Sequence, residues 1–167
     1  RTSKTFSPQG TDHVELTISP NPGEPLRPLH KIASGGELSR LMLALKTIFS
    51  RLDQIPVLIF DEIDTGVSGK AAQAIALKLA RLAAHVQVFS ITHLPQMACM
   101  ADTHFEIHKQ IENNRTFTAV NKLDYTGKIR ELSRMLGGAQ VTETTEHHAK
   151  EMLVMAAEIK EQRKELQ

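Results

Sequence analysis

Between positions 13 and 19 the apolar residues Val14, Leu16 and Ile18 alternate with polar neighbours, the two-residue period of a half-buried strand. Pro20-Asn21-Pro22-Gly23 ends it, and the proline-rich stretch to Pro28 reads as loop. From Glu37 the period becomes helical. Leu38, Leu41, Met42, Leu45, Ile48, Phe49 and Leu52 recur at three- and four-residue steps, predicting an amphipathic helix to about Arg51. Residues 55–60 (IPVLIF) form an unbroken apolar run, too short for a buried helix and β-branched enough for a strand covered on both faces. An alanine- and leucine-rich helix over residues 69–84 follows, then a second buried strand over residues 86–91. Strand, helix and strand at this spacing predict a βαβ unit, with parallel strands and a right-handed crossover. Residues 105–109 and 116–120 predict a hairpin around Glu112-Asn113-Asn114. A short helix over 127–136 stops at Gly137-Gly138, and a last helix spans about 142–164. There is no internal repeat and no heptad run long enough for a coiled coil.

Composition adds mainly exclusions. A chain of 167 residues predicts one domain, 1–167, large enough to bury a core. A net charge of +1 supplies no overall field toward nucleic acid or a membrane surface. One cysteine, Cys99, rules out an internal disulfide and fits a reducing compartment. No apolar run approaches the roughly 20 residues that span a bilayer, and no signal-peptide core is present, so a cytosolic chain is expected. Few aromatic residues and no tryptophan argue against stacking platforms for single-stranded nucleic acid.

Three segments carry candidate chemistry: SGGELSR from Ser34, LIFDEID from Leu58, and SITH ending at His93. Ser34 and Glu37 have the spacing of a capping box. The box leaves Gly35 and Gly36 unexplained, because each glycine in a helical turn costs about 1 kcal/mol relative to alanine. Bare amides at a positive helix end suit an anion, and a triphosphate oxygen is the natural candidate. Asp61 and Glu62 close a buried strand and so sit at the carboxyl edge of a parallel sheet, where open α/β folds bind ligands. One carboxylate there can hold magnesium, directly or through water, and its neighbour can orient or deprotonate an attacking water. The competing reading makes them solvated loop acids; the apolar run before them and Asp64-Thr65-Gly66 after them weigh against it. His93, just past the adjacent parallel strand, is expected on the same edge, where a neutral imidazole could meet a terminal phosphate and the attacking water.

No G-x-x-x-x-G-K-[ST] phosphate loop occurs. Gly69-Lys70 comes nearest, with Asp64 where the first glycine belongs and Ala71 where the hydroxyl belongs. Other polar residues are expected to be structural or solvated. His104 and His108 share a strand face without a third metal ligand, and His147-His148 sits at a helix surface. Lys122, Lys128, Arg130 and Arg134 are interleaved with Asp124 and Glu131, a solvated face rather than a phosphate-binding one.

Taken together, ASGGELSRLMLALK, LIFDEIDTGVSG and ITHLPQMA resemble the C-terminal half of the ATPase head of the RecN family. These are bacterial DNA double-strand-break repair proteins related to the structural-maintenance-of-chromosomes (SMC) and ABC ATPases. The resemblance covers essentially the whole chain. ABC transporters would more usually show LSGGQ and a DEP-type acidic motif, and chromosome-condensing ATPases an alanine- and leucine-containing segment where this chain has residues 64–69. The fold implied is α/β: the C-terminal lobe of an ABC/SMC-type P-loop ATPase head, a mostly parallel sheet flanked by helices, with a β-hairpin and C-terminal helices.

The resemblance also implies ATP and Mg2+ as cofactors. Ser34, Gly35, Gly36 and Glu37 match the signature segment that contacts nucleotide held by the opposing subunit. Asp61 matches the magnesium-associated aspartate, Glu62 the catalytic glutamate and His93 the switch histidine, while Asp64 lies in the loop that reaches across the dimer. The implied partners are the Walker A lobe from the N-terminal part of the same protein, beyond a long coiled coil, a second head in a homodimer, and DNA; no membrane is implied. The implied setting is cytoplasmic, nucleoid-associated repair and recombination in the SOS response to DNA damage. Without the Walker A lobe and a partner head, this chain by itself is expected to be inactive. The alternatives are the head of a transporter or chromosome-structure ATPase, or a non-catalytic interaction domain.

Overall fold

The computed structural model describes residues 8, 10, 12, 14–19, 22–31, 34–49, 54–112, 115–138 and 140–164. His13, Arg51, Leu52 and Asn113-Asn114, which figure in the expected elements, lie outside them. The chain groups into two compact units, Arg1–Ser34 and Gly35–Gln167.

In the first unit the expected strand is reduced to β1 (Thr17–Ile18), which pairs antiparallel with β2 (Arg27–Pro28) inside the stretch read as loop. The proline-rich composition hid β2: Pro28 has no N–H to give a ladder, so only a two-residue edge pairing forms. A 3-10 turn over Leu29–Lys31 follows, with the Leu29 amide donating to the Leu16 carbonyl at 2.9 Å.

The second unit begins with α1 (Gly35–Phe49), then β3 (Val57–Phe60), α2 (Gly69–Leu82) and β4 (Gln87–Ser90). β3 and β4 are parallel, in register from Val57 opposite Gln87 to Phe60 opposite Ser90, as the βαβ spacing requires. Their inner face, with Leu58, Phe60 and Val88, packs on Leu43 of α1 and on Ile75, Ala76, Leu79 and Leu82 of α2. Each large side chain buried in this cluster contributes about 1.5–3 kcal/mol.

The expectation that both faces are covered does not hold. Val57, Ile59, Phe89 and Ile91 point the other way and are exposed, Ile59 by 71%. An apolar run cannot distinguish a strand buried on two sides from one whose second layer is missing, and no described element supplies that layer. The described strands form three two-stranded sheets, of which only β3–β4 is parallel.

A four-residue helix, α3 (Pro95–Ala98), went unread because it is too short to show a period. It joins two cores. Met97 belongs to the sheet cluster, while Ala98 and Cys99 pack with Leu132, Ala149 and Ala156 of the C-terminal helices. Between α3 and those helices stands the expected hairpin, β5 (Phe105–Glu112) with β6 (Arg115–Lys122), longer than its apolar residues indicated. Helix α4 (Tyr125–Gly137) starts two residues early because the Asp124 carboxylate accepts from the Gly127 amide at 2.7 Å. It ends where Gly138 turns to a φ of 66°, its amide donating to the Arg134 carbonyl. Helix α5 (Glu143–Lys164) packs on α4 and closes the chain's described part. The overall class is α/β, with helices around small sheets.

Candidate functional site

The carboxyl ends of β3 and β4 lie side by side, with the Ile91 amide donating to the Phe60 carbonyl at 3.0 Å. The chain leaving β3 turns abruptly. Glu62 takes a φ of 56°, a left-handed conformation that costs a side-chain-bearing residue about 1 kcal/mol or more. Two contacts hold the turn: the Glu62 amide donates to the Asp61 carboxylate at 2.8 Å, and the Glu62 carbonyl accepts from the Thr65 amide at 3.0 Å. Ile63, fully buried in the sheet core, anchors the loop from below. The turn therefore leaves Asp61 and Glu62 exposed on one side of Ile63 and sends Asp64 inward on the other.

The first turn of α1 lies against this loop. A Cβ on Gly35 would collide with the Glu62 carboxylate, and one on Gly36 would stand 2.9 Å from the Glu62 carbonyl oxygen and 3.1 Å from Thr65 Cβ. The two glycines thus have a use inside the chain as well as toward a ligand: they permit close approach of helix and acidic loop. The Glu62 carboxylate accordingly rests at the positive end of α1, where a negative charge is favoured. Two α1 residues that sequence reasoning passed over tie the pieces together. The Ser39 hydroxyl donates to the Asp61 carbonyl at 2.8 Å, and the Arg40 guanidinium donates to the carbonyls of Thr65 at 2.8 Å and Ile63 at 3.3 Å. Their only sequence signal was position, one helical turn past the glycines. Glu37 is exposed in the first turn of α1, and Ser34 is exposed at the end of the first unit.

Asp64 differs most from expectation. Read as a residue reaching out of the chain, it is 3% exposed and committed internally. One of its oxygens, Oδ2, accepts from the Thr92 hydroxyl at 2.6 Å and from the His93 amide at 2.9 Å, and lies 3.0 Å from His93 Nδ1. Burial alone would raise its pKa, but the Thr92 hydroxyl, the His93 amide and the His93 ring outweigh it and hold the carboxyl below its ordinary range. Thr92 in turn accepts from the Leu94 amide at 3.0 Å, fixing the hydroxyl's direction. The His93 side chain stands 72% exposed, with only its Nδ1 edge engaged. Asp61, Glu62 and His93 do share the sheet's carboxyl edge, and the residue that meets His93 is Asp64.

Among the described residues no three of His, Cys, Asp and Glu gather closely enough to hold a metal ion. This donor set still suits magnesium, which keeps several waters and takes few protein ligands: Asp61 offers one exposed carboxylate whose Oδ1 already accepts the Glu62 amide.

The polar residues read as structural fare differently. His147 and His148 are exposed, beside Glu151. In the basic set Arg134 pairs with Glu131 at 2.6 and 2.7 Å, and Lys128 donates to the Asp102 carbonyl. His104 is not solvated: it is 8% exposed at the base of the hairpin, with Nδ1 lacking a partner among the described residues.

Similarity to known proteins is extensive. The chain is 52% identical over 157 residues to the DNA repair protein RecN of Halalkalibacterium halodurans, covering 94% of this chain and 28% of that protein. It is 53% identical to RecN of Bacillus subtilis (91% and 26%) and 45% identical to RecN of Vibrio cholerae (90% and 27%). The chain thus spans about a quarter of the length of the relatives it matches. No protein-family model matches it. A solved chain from work on ATP-driven dimerization and DNA-stimulated activation of SMC ATPases aligns over 81% of this chain and 86% of its own, at 21% identity and a TM-score of 0.44, too slight a likeness to argue from.

Proposed function

This chain belongs to the RecN family over the segment it spans, and we propose from that premise that it forms the catalytic edge of an ATPase head acting in DNA double-strand-break repair. The observation that carries the reading is the common sheet edge of Asp61, Glu62 and His93, with the glycines of α1 packed against it.

Each residue has a role suited to its setting. Asp61 would hold magnesium with its exposed carboxylate, directly or through water; the bound ion supplies charge neutralisation at phosphate oxygens. Glu62, strained and exposed, orients and deprotonates the attacking water. His93 addresses the terminal phosphate and that water with its free ring edge. Ser34, Gly35, Gly36 and Glu37 present amides and a small surface to the nucleotide of a second head. This follows from the resemblance; within the chain, Gly35 and Gly36 serve the approach of Glu62. Asp64 contributes through His93 rather than by reaching out. The bare outer face of β3–β4 supports a partner lobe: the Walker A lobe of the same protein would cover Ile59 and Phe89 and complete the phosphate site. Among the described residues no helix is long and apolar enough to cross a membrane. A cytoplasmic, nucleoid-associated protein binding DNA in its full-length form is the setting this reading implies.

The test is Glu62→Gln in the full-length protein. Nucleotide binding should persist while steady-state hydrolysis falls by about 10²- to 10⁴-fold, the usual worth of a positioned base. The 167-residue chain alone should show no turnover. ATP-dependent dimerisation abolished by Ser34→Arg would support the lent signature segment. Undiminished turnover by Glu62→Gln would refute the role of Glu62, and a full-length protein that neither hydrolyses ATP nor dimerises with it would point to an interaction domain.

A further inference from the structure

We propose that Asp64 is a positioning residue for His93: it fixes the ring through Nδ1 as the Nδ1–H form and leaves Nε2 as the working atom. The proposal rests on the reading of His93 as part of the hydrolytic edge, but its evidence is separate. Asp64 is buried at the loop's inner side, where an uncompensated carboxylate would be costly. Two donors, the Thr92 hydroxyl and the His93 amide, converge on the single oxygen Oδ2, and the His93 ring nitrogen Nδ1 lies 3.0 Å from the same atom. Two donated hydrogens suit an ionised carboxylate, and a bare lone pair on Nδ1 at that distance would be repelled by its charge. With Oδ2 accepting, His93 Nδ1 must carry its proton toward Asp64. The remaining nitrogen of a neutral ring then bears the lone pair, on a side chain that is largely exposed.

The arrangement also explains why His93 is oriented despite being exposed. Two atoms of one residue, the backbone amide and Nδ1, meet the same oxygen, so both the backbone at position 93 and the ring's tilt are set by one group. Thr92 holds that oxygen from the other side and is itself fixed by the Leu94 amide. Ile63, beside it in the chain, has no exposed surface and roots this part of the loop in the core. A carboxylate that accepts the far proton of a working histidine is a recurrent device for selecting its tautomer.

The experiment uses the full-length protein labelled with 15N-histidine, the His93 signals being identified by their loss in His93→Gln. At neutral pH the wild type should show Nδ1 protonated and Nε2 bare, since the two kinds of ring nitrogen have well-separated shifts. Asp64→Ala removes the oxygen in front of Nδ1, so the ring should move toward the Nε2–H form that an unconstrained imidazole favours, and ATP turnover should fall by about 10- to 100-fold with little change in nucleotide affinity. Thr92→Val removes one donor to Oδ2 and should lower stability while leaving the tautomer unchanged. A wild-type ring in the Nε2–H form overturns the proposal even if Asp64→Ala does not fold. So does an unaltered tautomer in Asp64→Ala, or a tautomer that Thr92→Val shifts as much. Absence of ATP turnover in the wild type would instead remove the ATPase reading and leave the ring assignment standing.

Discussion

Two buried titratable side chains, one at the sheet edge and one at the base of the hairpin, show opposite ways of leaving water. Asp64 is met by donors from Thr92 and His93, which hold its carboxyl charged against the cost of burial. His104 has a buried Nδ1 without a partner among the described residues. Burial depresses its pKa, and the neighbouring Glu131 carboxylate opposes the effect without reversing it. Burial in the first place organises a loop around a charge, and in the second it keeps a ring neutral among the α4 side chains. The contrast separates two fates of a buried titratable group: donated hydrogens keep a carboxylate charged, and burial without them favours the neutral ring.

The largest expected effect comes from breaking the first arrangement outright. Asp64→Ala leaves the Thr92 hydroxyl and the His93 amide and ring without their acceptor, and stability should fall by about 3 kcal/mol in urea unfolding. His104→Leu removes an unsatisfied group and should change stability by about 1 kcal/mol or less, in either direction. Equal losses from the two variants would erase the distinction between the sites.

Gly36→Ala should act through the same edge with a smaller effect, about 1–3 kcal/mol, because its Cβ would press on the rigid Glu62 carbonyl. Gly35→Ala meets only the movable end of the Glu62 side chain, so it should spare the fold and displace that carboxylate. Thermal unfolding of both variants, beside tests of ATP hydrolysis by the same variants of the full-length protein, would show whether the two glycines divide their work in this way.

The smallest effect is the pH dependence. His104 has a folded pKa below its ordinary 6.5, so the unfolded chain takes up a proton that the folded chain refuses. Stability contributed by the neutral ring is whole above 6.5 and is lost as pH falls from there toward the folded pKa. Asp64 also has a depressed folded pKa, but its window lies lower: its contribution is whole above 3.8 and is lost as pH falls through the folded value. His104→Gln should flatten the stability profile just below pH 6.5, and Asp64→Asn only the acid limb below about pH 4. A profile unchanged by His104→Gln would mean that its burial is not maintained in solution.

Much of this was legible from local sequence. The parallel pairing of β3 and β4 follows from apolar runs separated by one helix, because a crossover of that length leaves the strands no other easy arrangement. The edge position of Asp61, Glu62 and His93 follows in turn, since residues that end adjacent parallel strands must be neighbours. The hairpin and the helices α1, α2, α4 and α5 were legible for the same reason: their periods and stop signals act over a few residues. The left-handed turn at Glu62 was not, because nothing in the sequence around a non-glycine residue announces a positive φ. Nor were the reach of Arg40 to Ile63 and Thr65, or the inward turn of Asp64, since each depends on a partner more than twenty residues away. Local patterning thus brings Asp61, Glu62, Asp64 and His93 to the sheet edge. Which of the three acids stay in solvent and which one turns inward to the histidine is settled only once the chain has folded, because it depends on burial of Ile63 and on donors brought in from the next strand.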